Sequence, residues 1–142
     1  MGVRSGLRKG KLKREDVVLT TRGTLGNTAY YLKNIPFENI RINSGMVILR
    51  SNLDKISPNF LLLFLNSLEF EVQVSNFMSG SAQPQLPIRV LNEIEIPLPP
   101  LAVQEQIVEK IEAERSLVES SKKLIDIYEQ KTKDTIAKLW SE

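Results

Sequence analysis

Short apolar runs separated by turn-forming residues divide the first part of the chain into strands. Residues 16–26 begin with a β-branched apolar run and end in Gly23 and Gly26, which predicts a strand entering a tight turn. Residues 27–32 predict the return strand, and residues 45–50 predict another buried strand. The pattern therefore begins with a strand, a tight turn and a return strand, followed by another buried strand.

Helical spacing replaces this pattern after residue 56. Ser57 followed by Pro58 predicts a helix start, with Ser57 as N-cap and Pro58 at the first helical position. A second helix is predicted over residues 69–78. The apolar positions expected to face the core are Phe60, Leu61, Phe64, Leu65 and Leu68 in the first helix, and Phe70, Val74, Phe77 and Met78 in the second.

The segment that follows returns to polar and then to alternating positions. Residues 79–87 form a polar loop, and Ile94, Ile96 and Leu98 alternate with polar residues, which predicts a closing strand over 92–98 stopped by Pro99 and Pro100. Strands and helices in separate stretches indicate an α+β fold.

One long helix is predicted from residue 101 to about residue 140, because this stretch contains neither Gly nor Pro. It would be about 60 Å long. Apolar or small residues recur every seventh position, which favours a seam against another helix. These positions are Ile111, Val118, Ile125, Thr132 and Leu139, flanked by Ile107, Leu117, Leu124, Tyr128 and Ile136. The alternative is a solvated helix lying along its own domain.

Composition excludes several chemistries. The 142 residues include no Cys and no His, so there is no disulfide framework, Cys/His zinc site or Ser-His-Asp triad. The longest apolar stretch, residues 60–65, is too short to span a bilayer. We expect a soluble cytoplasmic protein.

The net charge of +2 hides an asymmetry. Residues 1–60 carry eleven basic and four acidic side chains, a net charge of +7, whereas residues 61–142 carry eight basic and thirteen acidic ones, a net charge of −5. This division suggests a polyanion partner for the first part and a protein partner for the second, although solvated charges can also be unevenly distributed by chance.

Motifs for catalysis are weak, and motifs for binding are better represented. Residues 22–26 lack the Lys-Ser/Thr pair of a phosphate loop, and the sequence holds no carboxylate cluster spaced for metal-dependent nuclease chemistry. Donors and acceptors concentrate in the glycine turn and the polar loop, where they could reach phosphates and base edges. Turns favour the same residue types for structural reasons, so either explanation stands for each loop alone.

Three blocks, in order, resemble specificity subunits of type I restriction-modification enzymes. Residues 12–26 resemble the family's "GDIL...RxGTxG" hairpin, with Glu15 where the family usually has Gly; residues 80–86 resemble its "G(S/T)xQxxL" loop. Residues 94–107 resemble the "I-PLPPLxEQxxI" junction between a target-recognition domain and a long helix.

The resemblance implies a DNA-reading, non-catalytic subunit. Residues 1–100 would be a target-recognition domain of mixed α/β structure lacking its N-terminal part, and residues 101–142 a coiled-coil-forming helix used for dimerisation, spacing and methyltransferase docking. The implied DNA contacts are Arg22, Thr21, Thr24, Asn27, Ser81, Gln83, Gln85, Lys11 and Lys13. The implied helix interface is Ile107, Ile111, Val118, Ile125, Tyr128 and Leu139.

The implied partners are double-stranded DNA, methyltransferase subunits and, through the complex, the restriction-motor subunit. S-adenosylmethionine, ATP and Mg²⁺ would belong to those subunits, with no cofactor on this chain. With one recognition domain and one helix, the chain is expected to pair with a second copy and read a palindromic split site. The alternative is a truncated adaptor or decoy that binds the methyltransferase subunit without reading DNA sequence.

Overall fold

The computed structural model describes residues 10–78 and 85–140, with Met78 as backbone only. The chain divides into two compact units, Met1–Glu105 and Gln106–Glu142.

The first unit is built on a three-stranded antiparallel sheet. The strands are β1 (Val17–Thr20), β2 (Thr28–Tyr30) and β3 (Met46–Leu49), in the order β2-β1-β3. All three predicted strands are confirmed. β1 pairs Val18 with Ala29 on one side and with Ile48 on the other, so it is the central strand.

β1 reads as a continuous apolar run because both faces of the sheet are covered. On one face, Val18 and Ile48 form a cluster with Leu12 and Tyr31. Partly buried side chains pack against this cluster, namely Ile35, Ile40, Ile42 and Met46. The covering layer includes an antiparallel bridge between Lys11 and Arg41.

Helix α1 (Pro58–Leu65) packs near β1 and β2, and its start is confirmed. The Ser57 side chain accepts the Phe60 N–H at 3.1 Å, and Pro58 occupies the first turn, where a missing N–H costs no hydrogen bond. Helix α2 (Leu68–Met78) follows directly. The rings of Phe64 and Phe70 meet edge to face at 5.9 Å, which fixes α2 against α1.

Two of the predicted core positions are wrong. Leu68 is 73% exposed and Phe77 is 50% exposed. α1 ends at Leu65, with Asn66 as its C-cap, and the Ser67 side chain accepts the Phe70 N–H at the start of α2. The helical periodicity is therefore interrupted before Leu68. The side chain of Met78 lies outside the described residues.

The predicted closing strand over 92–98 is also wrong. Helix α3 (Ile88–Glu93) occupies its start, and residues 94–100 join no strand of the described sheet. Ile94 and Ile96 are nevertheless buried, because the segment is extended and alternates its faces. The Gln73 side chain supplies the missing partner, accepting the Glu95 N–H and donating to the Glu95 carbonyl, both at 2.9 Å.

The long helix is confirmed as α4 (Leu101–Leu139). Within the described parts of the chain, no helix is long and apolar enough to cross a membrane.

The first turn of α4 belongs to the first unit and is held there by Gln104. This side chain is fully buried. It accepts the Ser57 N–H at 3.0 Å and donates to the carbonyls of Lys55 and Pro99, each at 2.8 Å. All the polar atoms of the buried amide are thereby paired with backbone groups that lie next to α1 and before α4.

A second buried polar group fixes the start of β1. The Asp16 carboxylate, 1% exposed, accepts the Lys13 N–H at 2.7 Å and two hydrogen bonds from Arg50, at 2.7 and 2.6 Å. These bonds raise the pKa of Arg50. The preceding Glu15 has φ of 71°, a left-handed conformation that favours glycine. Glycine would adopt this conformation without the strain that a side chain causes.

We predict that Gln104→Leu lowers the free energy of unfolding by about 3 kcal/mol, since it removes the three hydrogen bonds of a buried amide to one backbone N–H and two carbonyls. Thermal and urea unfolding of the full chain measure the change. Gln106→Leu, an exposed position two residues later, is the control and should stay within about 0.5 kcal/mol of wild type. Equal stability of the two variants would contradict the role assigned to Gln104.

Candidate functional site

The turn after β1 is closed by the side chain of Thr20. Its hydroxyl donates to the Thr24 carbonyl at 2.5 Å and accepts the Asn27 N–H at 3.0 Å. The Thr20 backbone N–H donates to the Asn27 carbonyl at 2.9 Å. Gly23 and Gly26 have φ of 74° and 81°, values that a side chain would strain. The turn is therefore fixed by one hydroxyl and two glycines.

The chain that precedes α3 pairs with this turn. Arg22 and Gln85 form an isolated antiparallel bridge, flanked by a hydrogen bond from the Leu86 N–H to the Thr21 carbonyl at 2.9 Å. In an antiparallel pair flanked in this way, the two opposite side chains lie on the same face with their Cβ atoms about 5 Å apart. A guanidinium and a carboxamide, both on exposed residues, thus start from neighbouring positions.

The predicted DNA contacts in the turn differ in exposure. Arg22, Thr24 and Asn27 are exposed, whereas Thr21 is 8% exposed. The Thr21 N–H donates to the Gly45 carbonyl at 2.7 Å, so its backbone connects the turn to the approach to β3. Ser81 and Gln83 lie outside the described residues.

Lys11 and Lys13 belong to a different part of the unit. Both are exposed, and Lys11 is paired with Arg41 in the layer that covers the Val18 face of the sheet. No hydrogen bond or bridge among the described residues joins either lysine side chain to the turn. The sequence-predicted contacts therefore fall into two groups.

Sequence reasoning missed a neighbour of Arg22. The Asn43 side chain accepts the Gly45 N–H at 2.8 Å, and a Cβ built on Gly45 would lie 3.6 Å from the Cβ of Arg22. The Asn-Ser-Gly order of residues 43–45 is a turn signal, but nothing in the sequence places that turn beside residue 22. Asn43 is exposed and adds another amide to this surface.

The strands and the turn itself carry no acidic residues, whereas Glu71 of α2 lines a cavity together with Leu25 and Gly26 of the turn. Residues 17–37, 39–53 and 72–92 contain neither Asp nor Glu. These segments include all three strands, the turn and the approach to α3. A polyanion that approaches the strand side of the turn therefore meets donors and cations, and Glu71 lies on the α2 side.

All six residues of the predicted helix interface lie in the second unit. Ile107 is 37% exposed, Ile111 is half-buried, and more than half of the surface of Val118, Ile125, Tyr128 and Leu139 is exposed. Leu124, Ile125 and Tyr128 form an open apolar surface over part of this stripe, next to Glu129, Thr132 and Lys133. Within residues 106–140 of this unit, no other element covers the apolar stripe.

Comparison with known proteins identifies the family. Residues 8–130 match the type I restriction modification DNA specificity domain. The chain belongs to this family. The resemblance seen in the hairpin, loop and junction motifs is thereby confirmed, and so is the α+β fold followed by a long helix. Specificity subunits of this family are non-catalytic.

Two relatives come from Methanocaldococcus jannaschii. The chain is 26% identical over 109 residues to the putative type I restriction enzyme MjaX specificity subunit, covering 77% of this chain and 24% of the relative. It is 34% identical over 79 residues to the MjaVIII specificity subunit, covering 56% of this chain and 18% of the relative.

Two solved structures share the fold. The HsdS subunit from Thermoanaerobacter tengcongensis superposes with a TM-score of 0.68 and 26% identity, over 80% of this chain and 29% of that one. A chain from a structure addressing complex assembly and conformational transition of the type I R-M system superposes with a TM-score of 0.60 and 26% identity, over 77% and 25%. The chain thus spans less than a third of each of these four proteins.

We predict that Thr20→Val loosens the turn of this specificity domain. Valine keeps the shape of threonine but removes both hydroxyl hydrogen bonds, so the free energy of unfolding should fall by about 1–2 kcal/mol. Hydrogen exchange of the Asn27 amide should accelerate, because that N–H loses its acceptor. Thr135→Val, which removes a hydroxyl bond on the exposed surface of α4, is the control. Unchanged exchange at Asn27 would show that the hydroxyl does not hold the turn.

Proposed function

We propose that this chain reads a short DNA sequence for a type I restriction-modification complex and positions the methyltransferase and restriction subunits on it. The observation that carries this proposal is the pairing of Arg22 with Gln85. That pairing unites two polar stretches, more than sixty residues apart in the sequence, into one exposed surface on a family-typical domain.

The chemistry of that surface suits base recognition. Arginine contacts the O6 and N7 atoms of guanine in a bidentate manner, and glutamine contacts N6 and N7 of adenine similarly. Thr24 and Asn27 add a hydroxyl and an amide that suit phosphate or sugar contacts. The rigid turn presents these groups in a fixed arrangement, which reduces the entropy lost on binding.

The second unit suits a protein partner. An exposed apolar stripe repeated every seven residues is typical of a helix that packs against another helix. We propose that the stripe containing Val118 and Ile125 packs against the equivalent helix of a second copy, and that methyltransferase subunits dock on the resulting pair. Two copies would place two reading surfaces on the halves of a split, palindromic site.

Catalysis and cofactors belong, in this proposal, to the partner subunits. S-adenosylmethionine would be held by the methyltransferase, and ATP and Mg²⁺ by the restriction-motor subunit. Across residues 10–78 and 85–140, no three His, Cys, Asp or Glu side chains are grouped so that they could hold a metal ion.

We predict that Arg22→Ala weakens sequence-specific duplex binding by at least about tenfold, the effect of losing one bidentate base contact. Fluorescence anisotropy measures the affinity. The duplex contains the sequence that the methyltransferase methylates together with this chain, and methyltransferase subunits are present. Lys55→Ala removes one positive charge from an exposed site of the first unit, outside α4 and the turn, and should bind as wild type does. Equal affinity of Arg22→Ala and wild type would exclude the turn as a reader.

The adaptor alternative gives a different result in the same assay. The chain would co-purify with the methyltransferase subunit, and neither wild type nor Arg22→Ala would prefer any DNA sequence.

We predict that Ile125→Asp abolishes self-association, because it places a charge at the centre of the apolar stripe. Light scattering at micromolar concentration should give a dimer for wild type and a monomer for the variant. Ser120→Asp introduces the same charge about 140° around the helix and should remain dimeric. A wild-type monomer, unchanged by Ile125→Asp, would contradict pairing through this helix.

A further inference from the structure

Lys11 and Arg41 are paired directly across two antiparallel segments. A hydrogen bond from the Leu12 N–H to the Ile40 carbonyl, at 2.9 Å, flanks the pair. The two residues therefore occupy a non-hydrogen-bonded position, where opposite Cα atoms approach most closely and the side chains share one face.

That face is the outer surface of the layer over the sheet. Leu12 and Ile40, the adjacent residues, pack into the cluster with Val18 and Ile48. Because successive side chains of extended segments alternate between faces, Lys11 and Arg41 lie on the side away from this cluster. Both are exposed, in agreement with that geometry.

Two like charges directly opposite one another destabilise a strand pair. Neither side chain forms an ion pair within the described residues. Three other cationic side chains of this unit do have partners. Arg14 donates to the Leu32 and Ile35 carbonyls, Lys33 pairs with Glu15, and Arg50 pairs with Asp16.

We propose that Lys11 and Arg41 together bind one backbone phosphate of duplex DNA. This inference rests on the proposed DNA-reading function and adds Arg41 to the contacts. Arginine offers a planar fork of donors and lysine a compact charge, and a phosphate between them would replace their repulsion with two charge-assisted hydrogen bonds. Residues 39–53 contribute no carboxylate that would repel the anion.

The contact would fix the position of the domain on DNA without reading sequence. Phosphate contacts set register and orientation, whereas base-edge contacts discriminate sequence. The Lys11–Arg41 pair lies in the layer over the Val18 face, and the Arg22–Gln85 pair lies beyond the end of β1. The two pairs would therefore divide affinity and specificity between them.

The salt dependence of binding tests the shared phosphate. Affinity of the full chain for duplexes of mixed sequence is measured by fluorescence anisotropy across a salt series. Losing one phosphate contact lowers the slope of log affinity against log salt by about 0.9, so between about 50 and about 200 mM salt the double variant Lys11→Gln/Arg41→Gln should lose about 3.5-fold less affinity than wild type. Each single variant should fall between the two, and Arg41→Lys should keep the wild-type slope.

Lys55→Gln, an exposed lysine in the same unit without an ion-pair partner among the described residues, is the matched control and should also keep that slope. An unchanged slope in the double variant would overturn the proposal while leaving the reading function intact. A slope lowered by about 1.8 would overturn it too, because it indicates two separate phosphates. Absence of any duplex binding by wild type would overturn both proposals.

The melting temperature of the free protein separates binding from a structural role. Removing one of two repelling cations should leave the melting temperature of Arg41→Gln equal to or above that of wild type at low salt. A lower melting temperature would show that the pair stabilises the fold and would contradict an anion site.

Discussion

A buried side-chain amide, Gln104, joins three backbone segments that meet at the base of the long helix. Its oxygen accepts the Ser57 N–H, and its nitrogen donates to the carbonyls of Lys55 and Pro99. Because the amide itself is buried, its removal would break three hydrogen bonds to partly buried backbone groups. The start of α1, the proline segment and the first turn of α4 are therefore fixed together, which keeps the first turn of α4 within the first unit.

Local signals in the sequence predict most of the elements. The β-branched run of β1, the Ser57-Pro58 start of α1 and the uninterrupted helix-forming stretch of α4 each depend on neighbouring residues only. The hydrophobic pattern predicts a strand wrongly where a side chain, instead of a neighbouring strand, pairs with the backbone. Gln73 pairs with Glu95, so residues 94–98 alternate like a strand without joining the sheet.

The candidate site depends on contacts between distant parts of the chain. The sequence indicates two separate polar loops, but the bridge between Arg22 and Gln85 and the one between Lys11 and Arg41 follow from tertiary pairing alone. Thr21 is an example: it is polar and adjacent to Arg22, yet it is buried, and its backbone pairs with Gly45 and Leu86, which are distant in the sequence. Family motifs identify the function class, whereas the geometry identifies which side chains share a surface.

Mapping adenine methylation in cells tests most directly whether the Arg22–Gln85 surface reads DNA. The full chain is expressed with its methyltransferase subunits in a host without other adenine methylation, and methylated sites are sequenced. We expect one recurrent methylated motif for wild type, and a relaxed or absent motif for Arg22→Ala/Gln85→Ala. An identical motif for the double variant, or for the methyltransferase expressed without this chain, would contradict DNA reading by the Arg22–Gln85 surface.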